Sequence, residues 1–358
     1  MRVGLRASGF RPQALLPLLL WGCAHGRAEG RRVEIAEPTV ITAGPPQEVA
    51  LGELDDATLF DVGTRAFQQG DFEKAALHFD RLWSSFPASP LRAPALWNAS
   101  LSQERLGHDA QALERFKKYI ELKNETDAQL HAALAEYKLG LYPAAAQRLH
   151  ALAARPGLPL LVKASAILQE GVCRIEGGER GEGEILVRAA LDLYENDREE
   201  TVDPALPAQA EFWLGEAFRR AFREEKLDPQ AMDAKGLEGA LERKAQFLLS
   251  AQGHYLRSIR RGDGEWATAS GYRIGALYEE FHDQLLQAPL PGGLSDDQRA
   301  LYQQELRGKV RNLIEKAIRI YEQTLATAQR VGAQGGYVEK TQQALERLRK
   351  LLLDAPRG

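Results

Sequence analysis

The sequence is poor in cysteine and in the clusters of β-branched residues that form strands. Only two of its 358 residues are cysteines, Cys23 and Cys173. Outside residues 38–50 the β-branched residues do not form runs, whereas Ala, Leu, Glu, Gln and Arg are abundant. Because strands favour β-branched and aromatic residues, this composition argues against a sheet. We therefore expect an all-α protein with a packed core, since 44% of the residues are hydrophobic.

Residue patterns typical of catalytic or metal sites are also absent. The seven histidines are scattered through the chain and form no HxH, HxxxH or HExxH motif. His282 and Asp283 are neighbours in sequence but lack ligand spacing, and the pairs Glu279-Glu280 and Glu199-Glu200 are expected to lie on solvated faces. Because catalysis needs a nucleophile with a base, a metal cluster or carboxylates in a pocket, the sequence predicts no enzyme, no metal site and no cofactor.

The glycine-rich stretch from Gly177 to Gly183 resembles a phosphate-binding loop only in its spacing. Such a loop needs a preceding strand, and the residues before Gly177 have helical periodicity. We expect a turn between two helices instead. Cys173 lies in the apolar run just before this turn, so we expect a buried and inert thiol.

No apolar run is long enough to cross a bilayer, but the N-terminus contains a short one. Three arginines precede the run from Ala14 to Trp21, and residues 1–22 contain no acidic residue. A basic segment followed by a short apolar run is typical of a secretory signal peptide. The run ends in Leu20-Trp21-Gly22-Cys23. We therefore expect residues 1–22 to be removed on export.

The tetrapeptide ending in Cys23 resembles the lipobox of bacterial lipoproteins, although Trp21 is larger than the residue usual at that place. The resemblance implies cleavage before Cys23 and lipidation of its thiol. By the same resemblance, Ala24 implies sorting to the outer membrane, facing the periplasm. The alternative is an ordinary signal peptide and a soluble periplasmic protein. Residues 23–55, with Gly44-Pro45-Pro46, are expected to form a flexible tether behind the lipid.

The charge of the chain argues against nucleic acid as a partner. The formal net charge of −4 becomes −7 when the three arginines of residues 1–22 are removed. Because nucleic-acid binding depends on neutralising phosphates with Lys and Arg, a general nucleic-acid binder is not expected. The sequence also indicates no small-molecule substrate.

The stretch from Leu59 to Pro87 predicts a helical hairpin. Apolar residues recur at three- and four-residue steps on both sides of Gly70-Asp71. Gly70 is suited to a left-handed helix end, and Asp71 can cap the next helix. Pro87 is expected to end the second helix.

The order of large and small residues in this stretch follows the tetratricopeptide-repeat (TPR) pattern of about 34 residues. Gly63 and Ala75 are small where two helices must touch, and Phe79 is large between them. Later copies become less regular. The residues expected to pack the repeats are Gly63, Ala75, Phe79, Pro87, Ala112, Phe116, Ala145, Gly215, Ala317 and Tyr321.

The pattern predicts a right-handed α-solenoid of five to six TPR-type hairpins with a capping helix at the C-terminal end. Residues 56–222 are expected to form a regular array, and residues 223–358 a degenerate long-helix region. In the latter half, insertions are expected at about Arg223 to Lys235 and at Gln287 to Leu294. A last helix from Tyr337 to Leu353 is expected to cover the open end.

The chain resembles bacterial TPR lipoproteins of the cell envelope. Before residue 223 it resembles the β-barrel assembly TPR lipoprotein and the Tol–Pal coordinator protein. The strings that carry this resemblance are Gln69-Gly70-Asp71-Phe72, Phe86-Pro87-Ala88-Ser89-Pro90 and Phe212-Trp213-Leu214-Gly215-Glu216-Ala217. The long-helix half is more similar to TPR lipoproteins of gliding-motility envelope complexes.

The resemblance also implies a partner-binding groove, lined by the first helix of each repeat. Its expected residues are Phe60, Thr64, Phe67, Trp97, Leu101 and Tyr137, with Arg219 and Arg220 further along. The aromatic residues are equally suited to packing between repeats. The arginines, together with Arg223, are suited to an acidic segment or to a solvated face.

We therefore expect a noncatalytic, lipid-anchored interaction scaffold of the cell envelope that binds a protein partner in its groove. We expect it to serve outer-membrane biogenesis, motility or secretion. Two alternatives remain open. One is a periplasmic chaperone or sorting factor for extended chains, and the other is an accessory subunit of an envelope enzyme.

Overall fold

The computed structural model describes residues 54–196, 203–228, 230–290 and 293–354. Within these ranges the chain forms 13 α-helices and no strand. Consecutive helices within each part of the chain pack against each other, so the architecture is an all-α array of TPR-type helical hairpins. The expected fold class is confirmed. None of the described helices combines the length and the hydropathy required to cross a membrane.

The helices fall into two compact units, and the division among the described residues lies between Leu141 and Tyr142. Unit 1 contains α1 (Asp56–Gln68), α2 (Phe72–Ser85), α3 (Arg92–Arg105), α4 (Asp109–Leu122) and α5 (Thr126–Lys138). The sequence-based boundary at residue 222 follows repeat regularity, whereas this division follows the density of contacts. The two divisions therefore describe different properties of the chain.

The first hairpin of unit 1 shows how local chemistry sets the helix ends. The side chain of Asp55 caps α1 by accepting a hydrogen bond from the backbone of Thr58. Gly70 then adopts a left-handed conformation with φ of 80°, and Asp71 caps α2 through the backbone of Lys74. These two predicted roles are confirmed. α2 ends at Ser85, two residues before Pro87.

The same left-handed turn recurs at the repeat spacing. Gly107, Gly140 and Gly178 all have φ between 72° and 95°. A residue with a Cβ atom is sterically strained in this conformation, so glycine is favoured at these helix ends.

Unit 2 contains longer helices. They are α6 (Tyr142–Ala153), α7 (Leu160–Glu176), α8 (Arg180–Glu195), α9 (Ala205–Glu224), α10 (Ala234–Arg260), α11 (Gly264–Gln287), α12 (Asp296–Val331) and α13 (Gly336–Asp354). α7, α9, α11 and α13 also contact one another in succession. We call these four helices the odd-helix layer of unit 2.

The centre of unit 2 is α9, which is buried on all sides from Ala205 to Ala217. At the C-terminal end, α13 buries Thr341, Ala344 and Leu348 against its neighbours. Its opposite side is mainly polar and exposed, as the last helix of a repeat array requires for solubility.

The expected insertion lies between the end of α9 at Glu224 and the start of α10 at Ala234, within two residues of its expected bounds. One local expectation was wrong. The glycines at 181 and 183 belong to α8 rather than to a turn. A Cβ atom on Gly183 would lie 2.6 Å from the carbonyl oxygen of Gly171. Gly183 is therefore needed because α7 and α8 approach each other closely.

The predictions for the N-terminus concern residues 1–22, the lipidation of Cys23 and the tether of residues 23–55. Almost all of this segment lies outside the described residues, which begin at residue 54. These predictions are not tested by the structure.

Candidate functional site

The strongest candidate for a binding surface in unit 1 is formed by α3 and α5. Nδ1 of His131 on α5 lies 2.7 Å from Oε2 of Glu104 on α3. The rings of His131 and Trp97 meet edge to face, with 5.4 Å between their centroids. These contacts join Trp97 and Glu104 of α3 to His131 of α5, and Leu101 and Tyr137 lie on the same two helices. We call this surface the α3–α5 face.

The polar pair on this face is stabilised by the charges around it. Burial by itself raises the pKa of Glu104, but His131, Lys138 and Arg105 outweigh that effect and the pKa lies below its ordinary value. His131 also stacks on Phe116, with ring centroids 5.1 Å apart. Glu104 is therefore held in its charged form next to His131, whose ring stacks on that of Phe116.

Trp97 packs against neighbouring aromatic rings and also remains partly accessible to solvent. Its ring lies 5.6 Å from that of Phe116 and 5.2 Å from that of Tyr119, between centroids. Leu101 packs against the same cluster. Both side chains are nevertheless only partly buried, as is Tyr137. The predicted groove residues of these two repeats thus keep some accessible apolar surface.

The predicted groove residues of α1 are used more fully in packing. Phe60 contacts Phe79 and Phe67 contacts Phe72, with ring centroids 5.5 and 5.1 Å apart. Thr64 is buried, and its hydroxyl donates to the backbone carbonyl of Phe60 at 2.8 Å. These contacts hold the first hairpin together and leave less of α1 available to a partner.

The predicted repeat-packing glycines lie directly beneath aromatic rings. A Cβ atom on Gly63 would lie 2.9 Å from the ring of Phe79, and one on Gly215 would lie 2.5 Å from the ring of Tyr255. Gly275 stands in the same relation to Tyr321. The remaining predicted packing residues Ala75, Ala112, Phe116, Ala145 and Ala317 are fully buried, whereas Pro87 is exposed just beyond α2.

In unit 2 the odd-helix layer is joined by ion pairs. Arg220 of α9 contacts Glu176 of α7 at 2.7 Å. Arg273 of α11 contacts Glu216 of α9 at 2.9 Å. The two further links are Arg219 and Arg223 of α9 with Glu280 of α11, and Arg347 of α13 with Glu279 of α11. Each of these ion pairs connects helices that are two apart in the chain. We call this set of ion pairs the ladder.

This ladder changes the reading of the two groove arginines. Arg219 retains only 7% of its side-chain exposure and contacts both Glu216 and Glu280. Arg220 is more exposed but is paired with Glu176. Neither guanidinium is a free cation lining an open groove, because internal carboxylates already accept from both.

The same ladder shows that the prediction of solvated faces for Glu279 and Glu280 was wrong. Glu279 is nearly buried and accepts from Tyr321 and Arg347. One signal in the sequence was available: Tyr255 and Tyr321 stand where the first repeat has Phe79. A buried tyrosine hydroxyl usually has a hydrogen-bond partner, and here Glu216 and Glu279 accept from these hydroxyls.

Glu216 shows how the ladder accommodates buried charge. Burial by itself raises the pKa of its carboxyl, but Arg273 and Arg219 reverse that effect, and the pKa lies below its ordinary value. Burial raises the pKa of Tyr255, whose hydroxyl donates to Glu216, well above its usual range. The pair is therefore a neutral phenol and a charged carboxylate at neutral pH.

The arrangement most similar to a catalytic triad does not present a nucleophile. Nδ1 of His254 lies 2.8 Å from Oε2 of Glu211, and Ser258 follows His254 by one helical turn. However, Ser258 is completely buried and its hydroxyl donates to the carbonyl of Ala208. Among the described residues, His, Cys, Asp and Glu form no group of three that could hold a metal ion.

A small cleft lies between α6 and α7 in unit 2. Its volume is about 180 Å³, and Tyr142, His150 and Arg174 are among its lining residues. Cys173 lies at its floor with no exposed surface, which agrees with the expected buried thiol. Ligand pockets for drug-sized molecules usually measure 300 Å³ or more, so the cleft is small for such a ligand.

Comparison with solved structures finds similar helical arrays. A tetratricopeptide repeat protein from Parabacteroides merdae is 14% identical, with 82% of this chain and 98% of that chain covered and a TM-score of 0.42. The apo form of RapI is 10% identical, covering 84% and 100%, at 0.43. A TPR repeats protein from Bacteroides fragilis is 14% identical, covering 72% and 98%, at 0.30.

No family model matches the chain. No curated protein matches it either. The likeness to the solved structures is distant, and the fold class rests on the helical hairpins of the chain itself. The described residues form helical hairpins of the TPR type.

Proposed function

We propose that this protein is a noncatalytic interaction scaffold of a bacterial cell envelope, anchored by lipid on Cys23. In this proposal, unit 1 binds a protein partner on its α3–α5 face. The partner segment is a peptide or helix that covers apolar surface at the centre and meets polar groups at the edge.

One observation carries the proposal: Trp97 and Leu101 of α3 and Tyr137 of α5 remain partly exposed, and the same two helices hold the hydrogen-bonded pair of Glu104 and His131. Aromatic residues with an apolar body and nearby polar groups are enriched where proteins bind one another. In unit 2 the charged side chains of the odd-helix layer form ion pairs with one another. The α3–α5 face of unit 1 is therefore the surface more accessible to a partner.

The binding claim is tested by replacing Trp97 and Tyr137 together with alanine. Partner recovery in a pull-down should fall at least about tenfold, since interface aromatics often contribute 1–2 kcal/mol or more each. The helical circular dichroism signal should stay unchanged. Leu77→Ala on the outer side of α2, which is 54% exposed, is the matched control. Equal loss of helix and binding would show that the two aromatics serve the core.

The anchoring claim rests on the sequence Leu20-Trp21-Gly22-Cys23. Several acyl chains bind a membrane firmly, because each buried methylene contributes about 0.8 kcal/mol. Cys23→Ala should move the protein from the membrane fraction to the soluble fraction. Continued membrane association of this variant would contradict the proposed anchor.

A further inference from the structure

A cluster of charged side chains lies where α9, α10 and α11 meet in unit 2. We call it the Arg219 cluster. Its cations are Arg219, Arg223, Lys244 and Arg273, and its carboxylates are Glu216 and Glu280.

The positive charges of this cluster outnumber the negative ones by two. The neighbouring pairs, Arg220 with Glu176 and Arg243 with Glu225, add equal charges of both signs and leave the excess unchanged. Lys244 is buried and donates to the backbone carbonyls of Phe222 and Glu225 rather than to a carboxylate. Glu225 and Glu280 act on Lys244 only through space. Partly buried cations are costly unless they are well paired, so an additional anion near the cluster would be favourable.

The cluster reaches solvent at one end. Arg219 is almost fully covered, whereas half of the Arg223 side chain is exposed. Nε and one terminal nitrogen of Arg223 donate to the two oxygens of Glu280 at 2.8 and 2.7 Å. This paired geometry is the one by which arginine recognises a carboxylate. Glu280 thus occupies the position in which an incoming carboxylate would bind.

We propose that Arg223 docks an acidic segment of a protein partner and that Glu280 competes with that segment as an internal carboxylate. The inference rests on the proposed role as an interaction scaffold and names the chemistry of a second contact. Phosphate oxygens share the chemistry of the carboxylate, and an acidic peptide is chosen because it fits a protein partner.

The probe is a fluorescein-labelled peptide of ten glutamates, added to the full chain and followed by fluorescence anisotropy at low and physiological salt. Glu280→Gln removes the competing charge and should tighten binding by about two- to fivefold, as expected for a half-exposed ion pair. Arg223→Gln should weaken binding by a similar factor. Raising the salt should weaken binding to all variants.

Arg243→Gln is the matched control, because Arg243 of α10 is equally exposed and is also paired with a glutamate. It should leave the affinity unchanged. Equal weakening by Arg243→Gln and Arg223→Gln would overturn the proposal, as would unchanged or weaker binding by Glu280→Gln with intact helicity. If Glu280→Gln fails to fold, the comparison of peptide affinity between Arg223→Gln and Arg243→Gln tests the proposal by itself.

Inorganic phosphate as a competitor distinguishes the two anion sources. Displacement of the peptide by phosphate at equal concentration of anionic groups would overturn the assignment to an acidic chain. The pull-down with Trp97→Ala and Tyr137→Ala reports on unit 1 independently. Loss of the peptide effect alone therefore contradicts this inference, and loss of the unit 1 effect alone contradicts the proposed function.

Discussion

The hydroxyl of Tyr255 on α10 donates to Oε1 of Glu216 on α9 at 2.5 Å, while the tyrosine ring lies over Gly215. Two consecutive residues of α9 thus receive the two ends of one side chain. Gly215 provides the space for the ring, and Glu216 satisfies the hydroxyl. Tyr321 makes a related pair of contacts, with its ring over Gly275 and its hydroxyl donating to Glu279, one helical turn further along α11. The irregular half of the chain therefore has its own packing rule.

Replacing Tyr255 with phenylalanine should destabilise the protein. The change removes one donor from a buried carboxylate, and leaving such a group less satisfied costs about 1–3 kcal/mol. The free energy of unfolding from urea denaturation measures the effect. Tyr302→Phe, at an exposed position on α12, is the control and should change the value by less than about 0.5 kcal/mol. Equal effects of the two changes would contradict the role of the hydroxyl.

Gly215→Ala should also be destabilising, although alanine is the better helix former. The added Cβ would lie 2.5 Å from the Tyr255 ring, and overpacking a core typically costs about 1–3 kcal/mol. Gly181→Ala in α8 is the matched control, because its Cβ would meet no atom within 4 Å. That change should stabilise the helix by up to about 1 kcal/mol. A neutral Gly215→Ala would show that the contact is not tight.

The regular half was the easier part to predict from sequence. Gly70 and Asp71 define a turn by local chemistry alone, so the first hairpin needed no long-range information. The long helices of unit 2 also followed from periodicity, and α13 differs from its expected range by one residue at each end. Local signals of this kind are strongest where each repeat contacts only its neighbours.

The ion pairs of unit 2 were beyond sequence reasoning for a physical reason. Glu280 and Arg223 are 57 residues apart, and Arg347 and Glu279 are 68 apart. The sequence around a charged residue does not show which distant residue it will pair with. A glutamate in a buried ion pair therefore cannot be told apart in sequence from one on a solvated face. For the same reason Arg219 was assigned to an open groove, whereas it is covered.

Acid should weaken the contribution of Glu216 to stability. Because its folded pKa lies below the ordinary value of 4.5, the stabilisation is present above that value and is lost as the pH falls through the folded pKa. Its facing groups Arg219, Arg273 and Tyr255 keep their protonation over this range. The difference in unfolding free energy between the native protein and Glu216→Gln should therefore be constant near neutral pH and shrink as the pH falls below 4.5. A constant difference would contradict the shifted pKa.

The central claim is that one protein partner covers the α3–α5 face of unit 1. The most direct measurement is photocrosslinking in the producing cells, with a photoreactive amino acid at Leu101 and, separately, at Leu77 on the exposed side of α2. Mass spectrometry of the adducts should identify one defined protein at position 101 and none at position 77. Adducts of equal yield at both positions, or a broad mixture of proteins at position 101, would contradict a dedicated scaffold.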